Sequence, residues 1–169
     1  KLKPDFTEAH SNLGLTYKEI DKFVDAQLHL RNAIKLKPEC AEINCNLGEV
    51  FRRGATSNPI LLVEAEAYCR KAIDLDPNYI PAYNNLGAVL QDSGDPNEAR
   101  IILEQAVDRS PENASAYYNL GLALRQLNEL NEAKEITNKA LSLQTDLIDA
   151  HHSLGIIYLH ELNFSRGFD

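Results

Sequence analysis

Four asparagines stand directly ahead of a Leu-Gly pair, at Asn12, Asn46, Asn85 and Asn119, and a fifth pair, Leu154-Gly155, has Ser153 in that place. A side-chain amide carries both donors and an acceptor, so it can pair with a peptide group of a bound extended chain. Asparagine is only a middling helix former, and its return to one slot asks for a reason beyond propensity. One amide per repeated unit would make a ladder that reads main chain rather than side chains. Net hydrogen bonds are worth about 1 kcal/mol each, so four rungs supply about 4 kcal/mol, which is millimolar binding. Useful affinity therefore needs second bonds or apolar anchors. The competing reading has these amides bond neighbouring repeats or water.

Other chemistry fails to assemble. Asp149, His152 and His160 could share one helix face, and histidine with carboxylate can bind zinc. Yet His151 and His10 occupy slots where Tyr83 and Tyr117 stand elsewhere, which points to core replacement, and His160-Glu161 lacks a second histidine at metalloprotease spacing. Cys40, Cys45 and Cys69 are odd in number and have no C-x-x-C spacing, so they read as reduced core or groove residues. There is no Gly-rich phosphate loop and no Gly-x-Ser-x-Gly nucleophile elbow. No catalytic residue, metal site or cofactor is expected, and the fragment is read as non-enzymatic. Asn113-Ala114-Ser115 and Asn163-Phe164-Ser165 match the glycosylation pattern but carry little weight without a secretory leader.

Bulk properties narrow the partners. With 44% hydrophobic and 25% charged residues the chain is ordinary globular material. A formal net charge of -8 and no basic face argue against nucleic acid, whose phosphates need clustered Lys and Arg. No apolar run of spanning length occurs, so no membrane span is expected and a cytoplasmic location is the default reading.

The elements that must carry the asparagines follow from the period. Leu13-Gly14, Leu47-Gly48, Leu86-Gly87, Leu120-Gly121 and Leu154-Gly155 are separated by 34 residues in three of four gaps, a period of stacked helix-turn-helix repeats. Tyr83, Leu86, Gly87 and Leu90 fall on one helix face. Asp92-Ser93-Gly94 interrupts it, then Asp95 as N-cap and Pro96 in the first turn open a second helix that turns Ala99, Leu103 and Ala106 inward. Glycine inside a helix costs up to about 1 kcal/mol against alanine. Its recurrence, opposite Ala26, Ala65, Ala99 and Ala133, predicts close helix packing.

These residues resemble the tetratricopeptide repeat family. In the first copy the pattern reads His10, Leu13-Gly14, Tyr17, Ala26, Leu30, Ala33, Pro38, and in the fourth Tyr117, Leu120-Gly121, Leu124, Ala133, Thr137, Ala140, with Thr145 in place of the proline. The expected organisation is the tail of a preceding repeat at 1–6, repeats at 7–40, 41–79, 80–113 and 114–147, and a partial repeat at 148–169. The second copy carries an insertion around Ala55-Thr56-Ser57-Asn58-Pro59, with Asn58 expected to cap a longer second helix through Ile60, Leu61, Leu62 and Val63. The resemblance implies an all-α fold, a right-handed α-α superhelix or solenoid of four full repeats and a truncated fifth, whose inner wall is lined by the first helix of each repeat. Inward positions implied this way are the four asparagines, Cys45, and the groove-lining residues Leu15, Glu49, Asn84, Ala88, Tyr118, Leu122 and Arg125, with Leu15, Ala88, Tyr118, Leu122 and Ile156 as apolar anchors.

The Asn-Leu-Gly pattern is also similar to the repeat array of the O-linked N-acetylglucosamine transferase family, over the repeat region only. The carboxylate clamp of chaperone-binding arrays is absent, since its positions carry Ser11, Leu15, Asn46, Pro81 and Asn85. The expected function is a scaffold holding a protein or peptide segment in its groove. A substrate-recognition arm of a larger transferase is the alternative, because both ends fall inside repeats. Self-association is a third, since Ile157, Tyr158 and Leu159 on an unfinished repeat are expected to be poorly covered.

Overall fold

The computed structural model describes residues 6–55 and 58–166, with side chains through His160. Residues 1–5 of the expected tail, Thr56 and Ser57 of the insertion, and the side chains of the second glycosylation pattern at Asn163 lie outside the described residues. The described residues form α1 (Phe6–Glu19), α2 (Phe23–Leu36), α3 (Ala41–Gly54), α4 (Leu61–Leu75), α5 (Ile80–Asp92), α6 (Pro96–Arg109), α7 (Ala114–Gln126), α8 (Leu130–Leu143) and α9 (Ile148–Arg166). The fold is an all-α helical repeat. Contacts divide it into two compact units, Lys1–Ser93 and Gly94–Asp169. In the first, α1 packs on α2 and α3 on α4, α2 leans on α3 and α4 on α5, and α3 touches both α1 and α5. In the second, α6 packs on α7, α7 on α8 and α8 on α9, and α7 touches α9.

Local chemistry sets the helix ends. Asp95 Oδ1 accepts the Glu98 N–H at 3.0 Å and Pro96 follows at the first turn. Asn113 caps α7 in the same way, accepting from Ala116 N–H at 2.8 Å, so the asparagine of the first glycosylation pattern has a structural task. α1 and α7 close with matching left-handed turns, Asp21 at φ 55° and Asn128 at φ 62°. Lys22 N–H reaches Tyr17 O and Glu129 N–H reaches Leu124 O, satisfying carbonyls the helices would otherwise leave open.

Close packing explains three of the glycines. A Cβ on Gly14 would stand 2.6 Å from Leu30 Cγ, and one on Gly48 would stand 2.6 Å from Cys69 Sγ and 3.1 Å from Ala65 O. One on Gly121 would collide with Thr137 Oγ1 and lie 3.5 Å from Ala133 O. The paired alanines Ala26, Ala65 and Ala133 are fully buried against these approaches. Gly155 differs, for a Cβ there would meet nothing within 4 Å.

The fourth residue of a repeat does something its aromatic character hides. Tyr83 Oη donates to Pro77 O at 2.9 Å, Asn44 Nδ2 donates to Pro38 O at 3.3 Å and to Cys40 O at 2.8 Å, and His151 Nε2 donates to Thr145 O at 2.9 Å. In each case one acceptor lies six residues earlier, in the turn leading into the helix. These side chains tie a first helix to the preceding boundary. His10 instead shares a hydrogen bond with His29, Nδ1 to Nδ1 at 3.0 Å, while Tyr17 stacks on the His29 ring.

The insertion departs from expectation in one respect. Asn58 Oδ1 accepts the Ile60 N–H at 3.2 Å, but the next bonds are tight three-residue turns, from Leu61 to Asn58 O and from Leu62 to Pro59 O, and the α-helix starts at Leu61. Ile60 and Val63 consequently face outward, 72% and 70% exposed. The close of the array also divides: Ile157 is fully buried, whereas Tyr158 and Leu159 are exposed.

Candidate functional site

In the first unit the first helices α1, α3 and α5 lie side by side. Leu15, Asn46, Glu49, Asn84, Asn85 and Ala88 are all half-buried along them, and Asn12 is exposed. Between α1 and α3 opens a cleft of about 250 Å³ lined by Thr7, Glu8, Ser11, Asn12, Lys37, Cys40, Glu42 and Ile43. The side-chain amides of Asn12 and Asn46 have no hydrogen-bond partner among the described residues and are not sealed from solvent. Both are therefore open to a ligand.

Asn85 stands in a different state. Its Nδ2 donates across to α3, at 3.2 Å from Cys45 Sγ and 3.5 Å from Cys45 O. This is a bond between neighbouring repeats, and it engages the donor half of the amide. Cys45 itself is buried beneath the wall rather than lining it, in a cluster with Ala72 and Ala82. Burial pushes its thiol up to about 12, partly opposed by the Asn85 hydrogen bond. Burial likewise raises Cys69, and lifts the Tyr79 phenol to about 12.

Charge on this wall is internally matched. Lys18 Nζ lies 2.9 Å from Glu49 Oε2, and Arg52 Nη1 lies 2.9 Å from Asp92 Oδ2. Both cations occupy the twelfth position of their repeat and reach an acid on the next first helix. Glu49, expected to line the groove, is thus already bound to a lysine. Neither pair is conspicuous in the sequence, because the partners are 31 and 40 residues apart and only the stacking aligns them.

The second unit presents α7 beside α9. Tyr118, Leu122 and Arg125 follow one face of α7 at half-burial, joined by Ile156 from α9. Asn119 is half-buried and already engaged in a contact within the protein. The Tyr118 phenol is raised by burial and by Asp149, against a lowering from Arg125. His152, His160 and Asp149 are exposed along α9, and no three His, Cys, Asp or Glu side chains among the described residues gather to hold a metal. No helix among them is long and apolar enough to cross a membrane.

Comparison with known proteins gives a consistent picture. Two family profiles, each described as Tetratricopeptide repeat, match residues 11–80 and 82–146. No curated protein matches the chain. Among solved structures, PilF of Pseudomonas aeruginosa is 25% identical with a TM-score of 0.81, over 95% of this chain and 71% of that one. MamA of Desulfovibrio magneticus RS-1 is 24% identical with a TM-score of 0.73, covering 95% and 88%. YrrB, described as a TPR protein with an unusual peptide-binding site, is 20% identical with a TM-score of 0.64, covering 94% and 84%.

Proposed function

Because the chain belongs to the tetratricopeptide repeat family, we propose that it is a binding scaffold whose first-helix wall holds an extended segment of a partner protein. The observation that carries this reading is the pair of unpartnered amides at equivalent positions of adjacent helices, Asn12, which lines the 250 Å³ cleft, and Asn46. Each offers a donor and an acceptor to a peptide group. Leu15 and Ala88 supply half-buried apolar surface on the same unit, and Tyr118, Leu122 and Ile156 do so on the other. Such anchors are needed, because amide bonds alone give millimolar affinity at about 1 kcal/mol each. The role is one of binding, with Asn85 and Asn119 acting as partly structural members of the set.

A library of random peptides displayed on phage and selected on the whole chain tests this. Selected peptides should lose affinity for Asn12→Ala/Asn46→Ala by at least several-fold, while the melting temperature stays put. Asn85→Ala should instead lower the melting temperature, since it removes the bond to Cys45. Failure of any peptide to enrich, or enriched peptides indifferent to the double variant, would refute the reading.

A further inference from the structure

The twelfth position of the repeat carries a cation in three copies, Lys18, Arg52 and Arg125. For the first two the next first helix supplies an acid, Glu49 or Asp92, each at 2.9 Å. For Arg125 the corresponding residues of α9 are Ile156 and His160. Arg125 has no ion-pair or side-chain hydrogen-bond partner among the described residues; its Nε is buried without an acceptor, as is that of Arg52, so what sets Arg125 apart is that its terminal Nη groups have no acid beside them. Asp149, the acid on α9 that bears electrostatically on Tyr118, is at the other end of that wall and does not pair with it.

This arrangement leaves a half-buried cation without the anionic neighbour that Lys18 and Arg52 have. Arg125 is half-buried one helical turn beyond Leu122 and two beyond Tyr118. A carboxylate matches its planar donor fork, and does so better than a neutral amide or hydroxyl. Tyr118 and Leu122 lie on the same face of α7 as Arg125, and Ile156 is on the neighbouring α9.

We propose that Arg125 is an acid-accepting subsite of the second unit, taking an Asp or Glu side chain of a peptide partner whose neighbouring residue is apolar and rests on Tyr118, Leu122 and Ile156. The inference rests on the binding reading above and adds the chemistry of the partner. Where the first unit pairs Lys18 and Arg52 with internal acids, the described residues of the second give Arg125 none. Selectivity follows from the unpaired charge, because a lysine placed there meets a like charge and a neutral residue leaves the terminal guanidinium N–H groups without an anionic partner.

The test uses the same display library, in which peptides have no free carboxyl terminus, selected in parallel on the whole chain and on its Arg125→Gln variant. The expected result is enrichment of an acidic residue beside an apolar one on the parent chain and its loss on the variant. With the best peptide synthesised as a C-terminal amide, fluorescence anisotropy should show a loss of about tenfold for Glu→Gln in the peptide, the scale of one charge-assisted hydrogen bond. Arg125→Gln should cost about the same, with no further loss when both changes are combined, and the gap should narrow in high salt. Peptides that enrich without an acidic preference, or keep it on the variant, overturn the proposal and leave the binding reading standing. If nothing enriches on either protein, the binding reading fails and the proposal with it. Should Arg125→Gln not fold, the Glu→Gln change in the peptide on the parent chain decides alone.

Discussion

Adding one methyl group to the same Leu-Gly motif in two repeats should move stability in opposite directions. At Gly155 an alanine Cβ meets nothing within 4 Å, so only helix propensity acts and Gly155→Ala should stabilise α9 by about 0.5–1 kcal/mol. At Gly48 the same methyl would stand 2.6 Å from Cys69 Sγ and 3.1 Å from the Ala65 carbonyl oxygen. Restoring ordinary contact requires the thiol to move by about 0.8 Å in a close-packed interior, where overpacking costs about 1–3 kcal/mol. Less the propensity gain, Gly48→Ala should destabilise by about 1–2 kcal/mol. At this chain length each kcal/mol shifts the melting temperature by about 2–4 °C. Circular dichroism melts of the two variants and the parent measure both signs, and hydrogen exchange assigns each change to its repeat, since arrays need not unfold in one step. Cys69→Ala in the Gly48→Ala background should recover part of the loss, beyond what Cys69→Ala does alone. Equal stabilisation by both alanines, or no coupling to Cys69, would refute the claim that helix approach explains the conserved spacing of glycine within this chain.

Three further outcomes follow. Folded protein at pH 8 should expose only Cys40 to a thiol reagent, with Cys45 and Cys69 reacting after denaturation; the folded state holds their protons more tightly, so their contribution is fully present below the ordinary thiol value of 9.0 and is lost as pH rises through about 12 for Cys45, which alkaline melts would register. A double-mutant cycle on Lys18 and Glu49, whose side chains are 12% and 24% exposed, should give a coupling of about 1 kcal/mol that salt weakens, whereas Arg31 and Glu64, at 48% and 44%, should give almost none. Asn128→Ala should cost about 1–2 kcal/mol because its left-handed backbone at φ 62° disfavours a Cβ, while Asn128→Gly should be neutral or stabilising by chemical denaturation.

Much of the fold was legible in the sequence because stacking repeats impose a period on packing residues. The Leu-Gly spacing, the alanines opposite it and the Asp95-Pro96 helix start each report a local requirement that no distant residue can supply. Gly155 shows the limit of such reading, since its motif is intact while the close approach that justifies glycine elsewhere is missing. The aromatic column concealed a second rule in the same way. Asn44, Tyr83 and His151 look unrelated as letters, yet each donates to a carbonyl six residues back.

The candidate site divides along the same line. Four asparagines in one slot are visible from spacing, and amide chemistry makes them candidates for a peptide ladder. Only the tertiary structure distinguishes Asn12 and Asn46, whose amides have no partner among the described residues, from Asn85, whose amide is drawn to Cys45 once α5 is laid against α3. It likewise pairs Lys18 and Arg52 with acids in the next repeat, while Arg125 has no acid partner among the described residues. Sequence alone determined the repeat and its register, because these depend on periodic burial within a few dozen residues. Which polar groups stay available depended on side chains brought together across repeats, at separations that no local pattern encodes.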